Sequence, residues 1–199
     1  MKNLCRSIIM AVFILSTCFV IGCSCSQESP TDLVKAEALA SKQHAKLVQF
    51  LKESSGANIY DDGLDLNLYY GGSYLDDEKR LTICCTTEDN LIVEAFREAA
   101  GSPYVAVKYV KFTKEELESL KEAFSRKLYE YRFDDELNEE EKNLIDDISS
   151  CGIDLISNRI SIGIRDLNEQ KKDVFRDLFD FFPIDSVKFE SGYEIVTLT

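Results

Sequence analysis

The chain has 199 residues, of which 45% are hydrophobic, and its 36 acidic and 23 basic side chains give a formal net charge of −13. This composition suits one medium domain or two small ones and excludes an intrinsically disordered chain. An acidic surface repels phosphate backbones and anionic lipid headgroups, so we expect no nucleic-acid partner. The charge either keeps an extracellular domain soluble or attracts a cationic partner or loosely held cations.

The first 22 residues have the three parts of an export signal peptide. Lys2 and Arg6 give a positive start, residues 8–21 are apolar but short for a membrane span, and a polar segment follows. The end of the apolar stretch, VIGC at residues 20–23, resembles the lipobox of bacterial lipoproteins. The resemblance implies that the signal is cut before Cys23 and that the Cys23 thiol carries a diacylglycerol. Two or more acyl chains make a stable membrane anchor.

An uncleaved membrane helix, or a plain secretory signal with a coincidental cysteine, is the alternative to a lipobox. Cys25 is a poorer acceptor because Cys23 and Ser24 precede it instead of a small apolar pair. We therefore expect the chain to lie outside the cytoplasm. The lipid at Cys23 would hold it on the outer surface of a bacterial cytoplasmic membrane, or on the outer membrane if the cell has one.

Residues 23–57 are predicted to form a polar tether and one helix. Thr31 or Asp32 can cap a helix that runs to about Ser54. His44, the single histidine of the chain, lies mid-helix without a Ser, Cys or Asp partner and is expected to be solvent-exposed. Apolar residues recur on one face of this helix at Leu33, Ala36, Leu39 or Ala40, Leu47 and Leu51.

The body of the chain contains an internal repeat. RLTICC at residues 80–85 matches RISIGI at 159–164, an offset of 79, and AFRE at 95–98 matches VFRD at 174–177. At an offset of 80, Pro103 meets Pro183, and Val107 and Lys108 meet Val187 and Lys188. Both copies have the predicted order strand, turn, strand, helix, strand.

Apolar and polar residues alternate in both copies, as in half-buried strands. Leu81, Ile83 and Cys85 in the first copy, and the isoleucines at 160, 162 and 164 in the second, are expected to face helices with apolar stripes at 91–99 and 174–182. The opposite faces are expected to be open to water or to a partner. The candidate contact residues there are Thr82, Thr86, Lys108, Arg165 and Lys188.

Two helices are predicted between the copies. Thr113 and Glu116 form a capping box for the first. Asn138 can cap the second, which is expected to run through Ile148 and to be closed by Gly152. The acidic run 134–141 suits a turn and a helix start, where the helix dipole favours carboxylates, and a cation site is the less favoured alternative.

The predicted fold is α+β, with two tandem ββαβ units that form small sheets with helices on one face, joined by a helical pair. The expected divisions are 1–22 for the signal peptide, 23–57 for the tether and first helix, 58–132 for the first unit with a trailing helix, and 133–199 for the linking helix and second unit.

The cysteines of the body do not have the spacing of a metal site. Cys84, Cys85 and Cys151 include no CxxC pair and no neighbouring histidine, so no zinc or iron–sulfur cofactor is expected. Adjacent strand residues point to opposite faces, which disfavours a bond between Cys84 and Cys85. We interpret all three mainly as small apolar residues.

Three segments resemble the pro-region of alpha-lytic-type and trypsin-like secreted serine proteases: YYGGSYLDDEKRLTI at 69–83, VAVKYVKFTKEELESL at 105–120, and GIDLISNRISIGIRD at 152–166, followed by a helix and IDSVKFESG at 184–192. The resemblance covers about residues 59–192. It implies small sheets with helices on one face that help a protease to fold and can occupy its active site. The chain lacks Gly-Asp-Ser-Gly and Gly-x-Ser-x-Gly motifs and a second histidine, so no catalytic triad can be drawn, and we expect the module without its protease.

These observations favour a membrane-anchored lipoprotein without enzymatic activity that binds a protein or inhibits a protease. Other classes remain open. A small-ligand-binding lipoprotein would have an apolar cavity between the two units, and a structural envelope lipoprotein would have none. A carboxylate-based hydrolase would have a deep pocket lined by two or more Asp or Glu side chains with raised pKa.

Overall fold

The computed structural model describes residues 30–54, 65–183 and 185–192. The predicted signal peptide, Cys23 and the tether lie outside these ranges. In the first half, the elements are α1 (Pro30–Ser54), a 3-10 turn (Leu66–Tyr69), β1 (Tyr70–Leu75), β2 (Leu81–Cys85), α2 (Asn90–Ala100) and β3 (Ala106–Tyr109). In the second half, they are α3 (Lys114–Tyr131), α4 (Glu139–Asp147), β4 (Ile148–Asp154), β5 (Arg159–Ile164), α5 (Glu169–Leu178) and β6 (Val187–Ser191).

Each half contains a three-stranded sheet with the same topology. The order is β1-β2-β3 in the first sheet and β4-β5-β6 in the second. In each, the hairpin strands are antiparallel and the third strand is parallel to the central one. Both hairpins also carry a bulge at the corresponding place, between Tyr70 and Gly72 and between Ile148 and Ser150. The predicted α+β class with two ββαβ-like units is confirmed.

Capping residues set the helix starts much as the sequence indicated. Thr113 with Glu116, and Asn138 with Glu141, form complete capping boxes. The expected end of α4 was wrong, because Ile148 already pairs with Ile164 in the second sheet and Gly152 lies within β4. Backbone pairing with β5 therefore replaces the helical turn.

The third strands are not related by the expected offset of 80 residues. Cys84 pairs with Lys108, and its counterpart Gly163 pairs with Glu190, so Lys108 corresponds to Glu190 and not to Lys188. The physical cause is a longer connection in the second half. Residues 179–186 join α5 to β6, whereas residues 101–105 join α2 to β3, a difference of three residues.

Two hydrophobic cores divide the chain near residue 110. The first combines Leu47 of α1 with Ile83 of β2 and Phe96 of α2, and the second combines Phe124 of α3 with Ile162 of β5 and other residues of the second half. The helix α3, which was expected to trail the first unit, thus contributes to the second core.

The sequence pattern left open whether Leu39 or Ala40 lies on the apolar face of α1. Ala40 is buried and Leu39 is 58% exposed, so Ala40 is the residue on that face.

The outer face of the first sheet is covered, contrary to expectation. Thr82 is only 6% exposed and Cys84 is fully buried. The β4–β5 turn, residues 155–158, packs there. The Leu155 carbonyl oxygen lies 3.7 Å from the Cys84 sulfur. The Leu155 side chain packs against Gly72 so closely that a Cβ added to Gly72 would lie only 2.6 Å from Leu155 Cδ2. The absence of a side chain at Gly72 lets the second half approach the first sheet.

Asn158 holds the β4–β5 turn on the segment between β3 and α3 that joins the two halves. Its Oδ1 accepts hydrogen bonds from the backbone N–H groups of Lys111 and Phe112 at 3.1 and 2.8 Å, and its Nδ2 donates to the Phe112 carbonyl at 2.8 Å. Asn158 is 4% exposed and has φ +54°, a left-handed conformation that Asn tolerates better than most residues. One side chain therefore satisfies three backbone groups, of which the two at Phe112 are buried.

The substitution Asn158→Ala should lower the free energy of unfolding by about 3 kcal/mol, because it leaves the buried backbone groups of Phe112 unpaired. Denaturant unfolding measures this change. Lys79 supplies a matched control, since it occupies the corresponding position of the β1–β2 turn with φ 60° but is exposed. Lys79→Ala should change stability by less than about 0.5 kcal/mol. Equal losses for the two variants would contradict the assigned role of the Asn158 amide.

Candidate partner-binding site

The five predicted contact residues do not form one surface. Thr82 is buried and Thr86 half-buried, and the Lys108 ammonium donates to the Ile156 carbonyl at 2.7 Å within the contact between the halves. Arg165 and Lys188 belong to the second half. The Arg165 guanidinium lies 3.3 Å from the Asp147 carboxylate. The expected open face on the first sheet was wrong, because the second half covers it.

Lys188 takes part in an ion-pair network with carboxylates of the second sheet. Its ammonium lies 2.7 Å from Asp154 and 2.9 Å from Glu190. The hydrogen bond from Lys188 lowers the pKa of Asp154 to about 2 and also lowers the pKa of Glu190. The Asp154 carboxylate additionally accepts the backbone N–H groups of Ile156 and Ser157. The same carboxylate therefore shapes the turn that docks on the first half.

Acid should weaken this turn in a defined pH range. The pKa of Asp154 is near 4 in the unfolded chain and about 2 in the folded chain, so its stabilisation is complete above pH 4 and is lost as the pH falls towards 2. We expect Asp154→Asn to cost about 1 kcal/mol at neutral pH, since solvent screens a surface pair, and to flatten the acid limb of a stability–pH curve. Asp77→Asn, in the exposed turn of the first half, is the control and should leave the curve unchanged.

The three thiols of the described ranges are unsuited to nucleophilic chemistry. Burial raises the pKa of Cys84 and Cys85, and raises that of Cys151 to about 11. None forms a disulfide within the described chain. Cys85 lies in the first core and Cys84 at the contact with Leu155, so neighbouring cysteines diverge as expected.

The acidic side chains are arranged as ion-pair partners and helix caps. Every carboxyl group of the described ranges whose pKa is displaced has it lowered, at positions 76, 154, 169, 185 and 190. Among the same residues, no three His, Cys, Asp or Glu side chains are placed to hold a metal ion. In the acidic run 134–141, Asn138 and Glu141 cap α4 and Asp134 accepts from the Glu136 amide.

His44 is exposed on α1 and lines an open cleft of about 380 Å³ with residues of β1 and α3. Charged side chains of both signs, including Lys52, Lys114 and Glu118, surround this cleft. The tyrosine at its base, Tyr70, has a pKa raised by burial, and its hydroxyl lies 2.9 Å from that of Ser73. This mixed lining differs from the apolar inter-unit cavity that a ligand-binding protein was expected to have.

The strand order leaves β1 and β3 at the edges of the first sheet and β4 and β6 at the edges of the second, with no further described strand beside them. The Ser186 carbonyl accepts from Ile160, and the Gly192 amide donates to Ile164. Because the direction of hydrogen bonding alternates along a strand, the backbone groups of Val187, Phe189 and Ser191 point away from β5. These groups are available to an added strand.

A hollow of about 320 Å³ lies beside the β6 edge, between that strand and α5. Aromatic rings make most of its wall. The ring centroids of Phe175 and Phe189 are 5.1 Å apart in an edge-to-face arrangement, and Phe175 and Phe182 are stacked at 5.9 Å. The complete lining is Phe175, Arg176, Phe179, Asp180, Phe182, Pro183, Val187 and Phe189.

The hollow was missed by sequence reasoning, which placed Phe182 on the buried stripe of a helix. The helix α5 ends at Leu178, and the following residues turn back towards β6. The available signal was the density of aromatic residues at 175, 179, 181 and 182, which exceeds what one face of so short a helix can bury.

None of the helices in the described ranges has the length and the apolar composition of a membrane span.

Comparison of the chain with protein-family models and with curated proteins finds no match.

Proposed function

We propose that this protein is a lipid-anchored, extracytoplasmic module without enzymatic activity, which binds a protein partner in the manner of a protease pro-region or inhibitor. The partner docks an extended segment along β6. The observation that carries the proposal is that the edge of β6, along which no other described strand lies, is directly beside the aromatic hollow.

An added strand at β6 would place its side chains at the hollow. The residues whose backbone groups point outward include Val187 and Phe189, and the side chains of the same two residues line the hollow. Directly paired residues of neighbouring strands put their side chains on the same face of a sheet. Main-chain hydrogen bonds would supply affinity and the hollow would supply selectivity, as in other recognition by strand addition.

The chemistry of the remaining groups supports recognition over hydrolysis. Lowered pKa values hold carboxylates such as Asp154 and Glu190 ionised, whereas a general acid needs a raised pKa. The buried thiols are equally poor nucleophiles. These observations favour the binding module over the carboxylate-based hydrolase.

Site-specific photo-cross-linking in cells tests the docking surface. A photoreactive residue at Ser191, exposed on β6, should capture one discrete protein, and the same residue at Leu91, which is 78% exposed on α2, should not. If the partner is a secreted serine protease of the same cell, the purified lipoprotein should also inhibit that protease. Failure to capture any protein at Ser191, together with failure to inhibit, would refute the proposal.

The lipid anchor is part of the same proposal and is tested separately. Metabolic labelling with an alkyne fatty acid should label the wild-type protein and the Cys25→Ser variant, because the lipobox places the acyl chains on Cys23. Cys23→Ser should lose the label and leave the membrane fraction. Persistence of the label in Cys23→Ser would contradict a lipobox at residues 20–23.

A further inference from the structure

We propose that the hollow receives one bulky apolar side chain of the docked segment, and that a basic side chain two residues away pairs with Asp180. This inference rests on the proposed docking at β6 and specifies the chemistry of the partner. The recognised pattern is an extended segment with a Phe-like residue and a Lys or Arg at the next position on the same face.

The apolar part of the pattern follows from the walls of the hollow. Phe175 and Phe179 are buried and form its base, with ring centroids 4.7 Å apart, and Phe182 and Phe189 stand at its sides. Offset and edge-to-face contacts with these rings favour a planar aromatic side chain over a small aliphatic one. The volume of about 320 Å³ is at the lower end of ligand pockets, which suits one side chain better than a large ligand.

The basic part follows from the charges at the rim. The Arg176 guanidinium lies over the Phe189 ring and is neutralised by Asp173 at 2.6 Å. Asp180 also lines the hollow, yet neither it nor Asp177 forms an ion pair with another residue in the described part of the chain. Of the two charged residues that line the hollow, Arg176 is therefore paired, which leaves one carboxylate, that of Asp180, without an ion pair in the described chain. A cation of the partner would complement it.

The spacing follows from strand geometry. Residues i and i+2 of an extended segment point to the same face. If the apolar side chain enters the hollow next to Phe189, the residue at i+1 points to the opposite face of the sheet. A basic residue reaches the rim from position i+2 or i−2, depending on the direction of the added strand.

Comparison of the two halves indicates that the hollow is a specific feature of the second. Phe182 and Pro183 belong to the connection that is three residues longer than its counterpart. Ala100 stands at the position that corresponds to Phe179, and Arg97 stands at that of Arg176. The Arg97 guanidinium donates to the Val105 carbonyl at 3.3 Å, whereas Arg176 stacks on Phe189. In the first half, this hydrogen bond joins α2 to the residue that precedes β3. In the second half, the hollow lies between the corresponding helix and strand.

Fluorescence anisotropy with labelled peptides and the detergent-solubilised full-length lipoprotein tests the pattern. The probe is a nine-residue peptide with the centre Lys-Thr-Phe-Thr-Lys, which serves both strand directions. Replacing Phe by Ala should weaken binding about tenfold, through loss of buried aromatic surface. The peptide with the centre Thr-Lys-Phe-Lys-Thr has the same composition but turns both lysines to the other face, and it should bind about threefold more weakly.

Reversal of the charge at position 180 tests the contact between Asp180 and the peptide, and it leaves the hydrophobic core unchanged. Asp180 is exposed, so Asp180→Lys should fold normally. It should bind the lysine peptide several-fold more weakly than wild type and should prefer a Glu-Thr-Phe-Thr-Glu peptide. Asp77→Lys, in the exposed turn of the first half, carries the same charge change and should keep the wild-type preference.

Binding that depends on the phenylalanine, the lysine spacing and Asp180 would support the inference. Absence of peptide binding, or binding that is equal for the Phe and Ala peptides or unaffected by Asp180→Lys, would overturn it. Cross-linking at Ser191 reports on docking itself, so a captured partner combined with a failed peptide pattern would refute the proposed chemistry and leave the proposed function standing.

Discussion

The arrangement of the described chain depends on the side-chain amide of Asn158. In the segment that joins the two halves, the backbone of Lys111 and Phe112 presents two donors and an acceptor, and those at Phe112 are buried and must be paired. One amide meets all three requirements in a turn that needs a left-handed residue. With that turn in place, Leu155 packs on Gly72 and the outer face of β2 is covered, whereas most of β3 stays exposed.

The two halves show how the same architecture serves different purposes. The corresponding hairpin turns both contain a left-handed residue, Lys79 in one and Asn158 in the other. The first turn, DDEK, consists of charged residues and lies in solvent, whereas the second, LISN, has no charged residue and packs Leu155 on the neighbouring sheet. The duplicated pattern therefore supplies the scaffold, and the departures from it supply the contacts.

The proposed recognition site follows the same rule. The longer connection between α5 and β6, which distinguishes the second half from the first, supplies half of the residues that line the aromatic hollow: Phe179, Asp180, Phe182 and Pro183. Asp180 at its rim forms no ion pair within the described chain, and β6 presents backbone groups beside it. A lipid at the amino terminus would hold this surface near the membrane while the acidic body stays hydrated, which suits the proposed capture of a basic, extended segment.

The sequence by itself determined the α+β class, the strand–turn–strand–helix–strand order of each half and the helix caps at Thr113 and Asn138, because these follow from local periodicity and from side chains close in the chain. It also identified the core faces of β2 and β5. Tertiary structure alone decided that the outer face of β2 is buried, that α3 belongs to the second core, and that Phe182 leaves the helix to line a hollow. Alternation in a sequence shows only that one face of a strand is less apolar than the other. Thr82 and Cys84 are small enough for another element to cover them, and the tertiary structure shows that the β4–β5 turn does so. A short insertion likewise has no periodicity, so its position beside an open strand edge depends on contacts between residues distant in the chain.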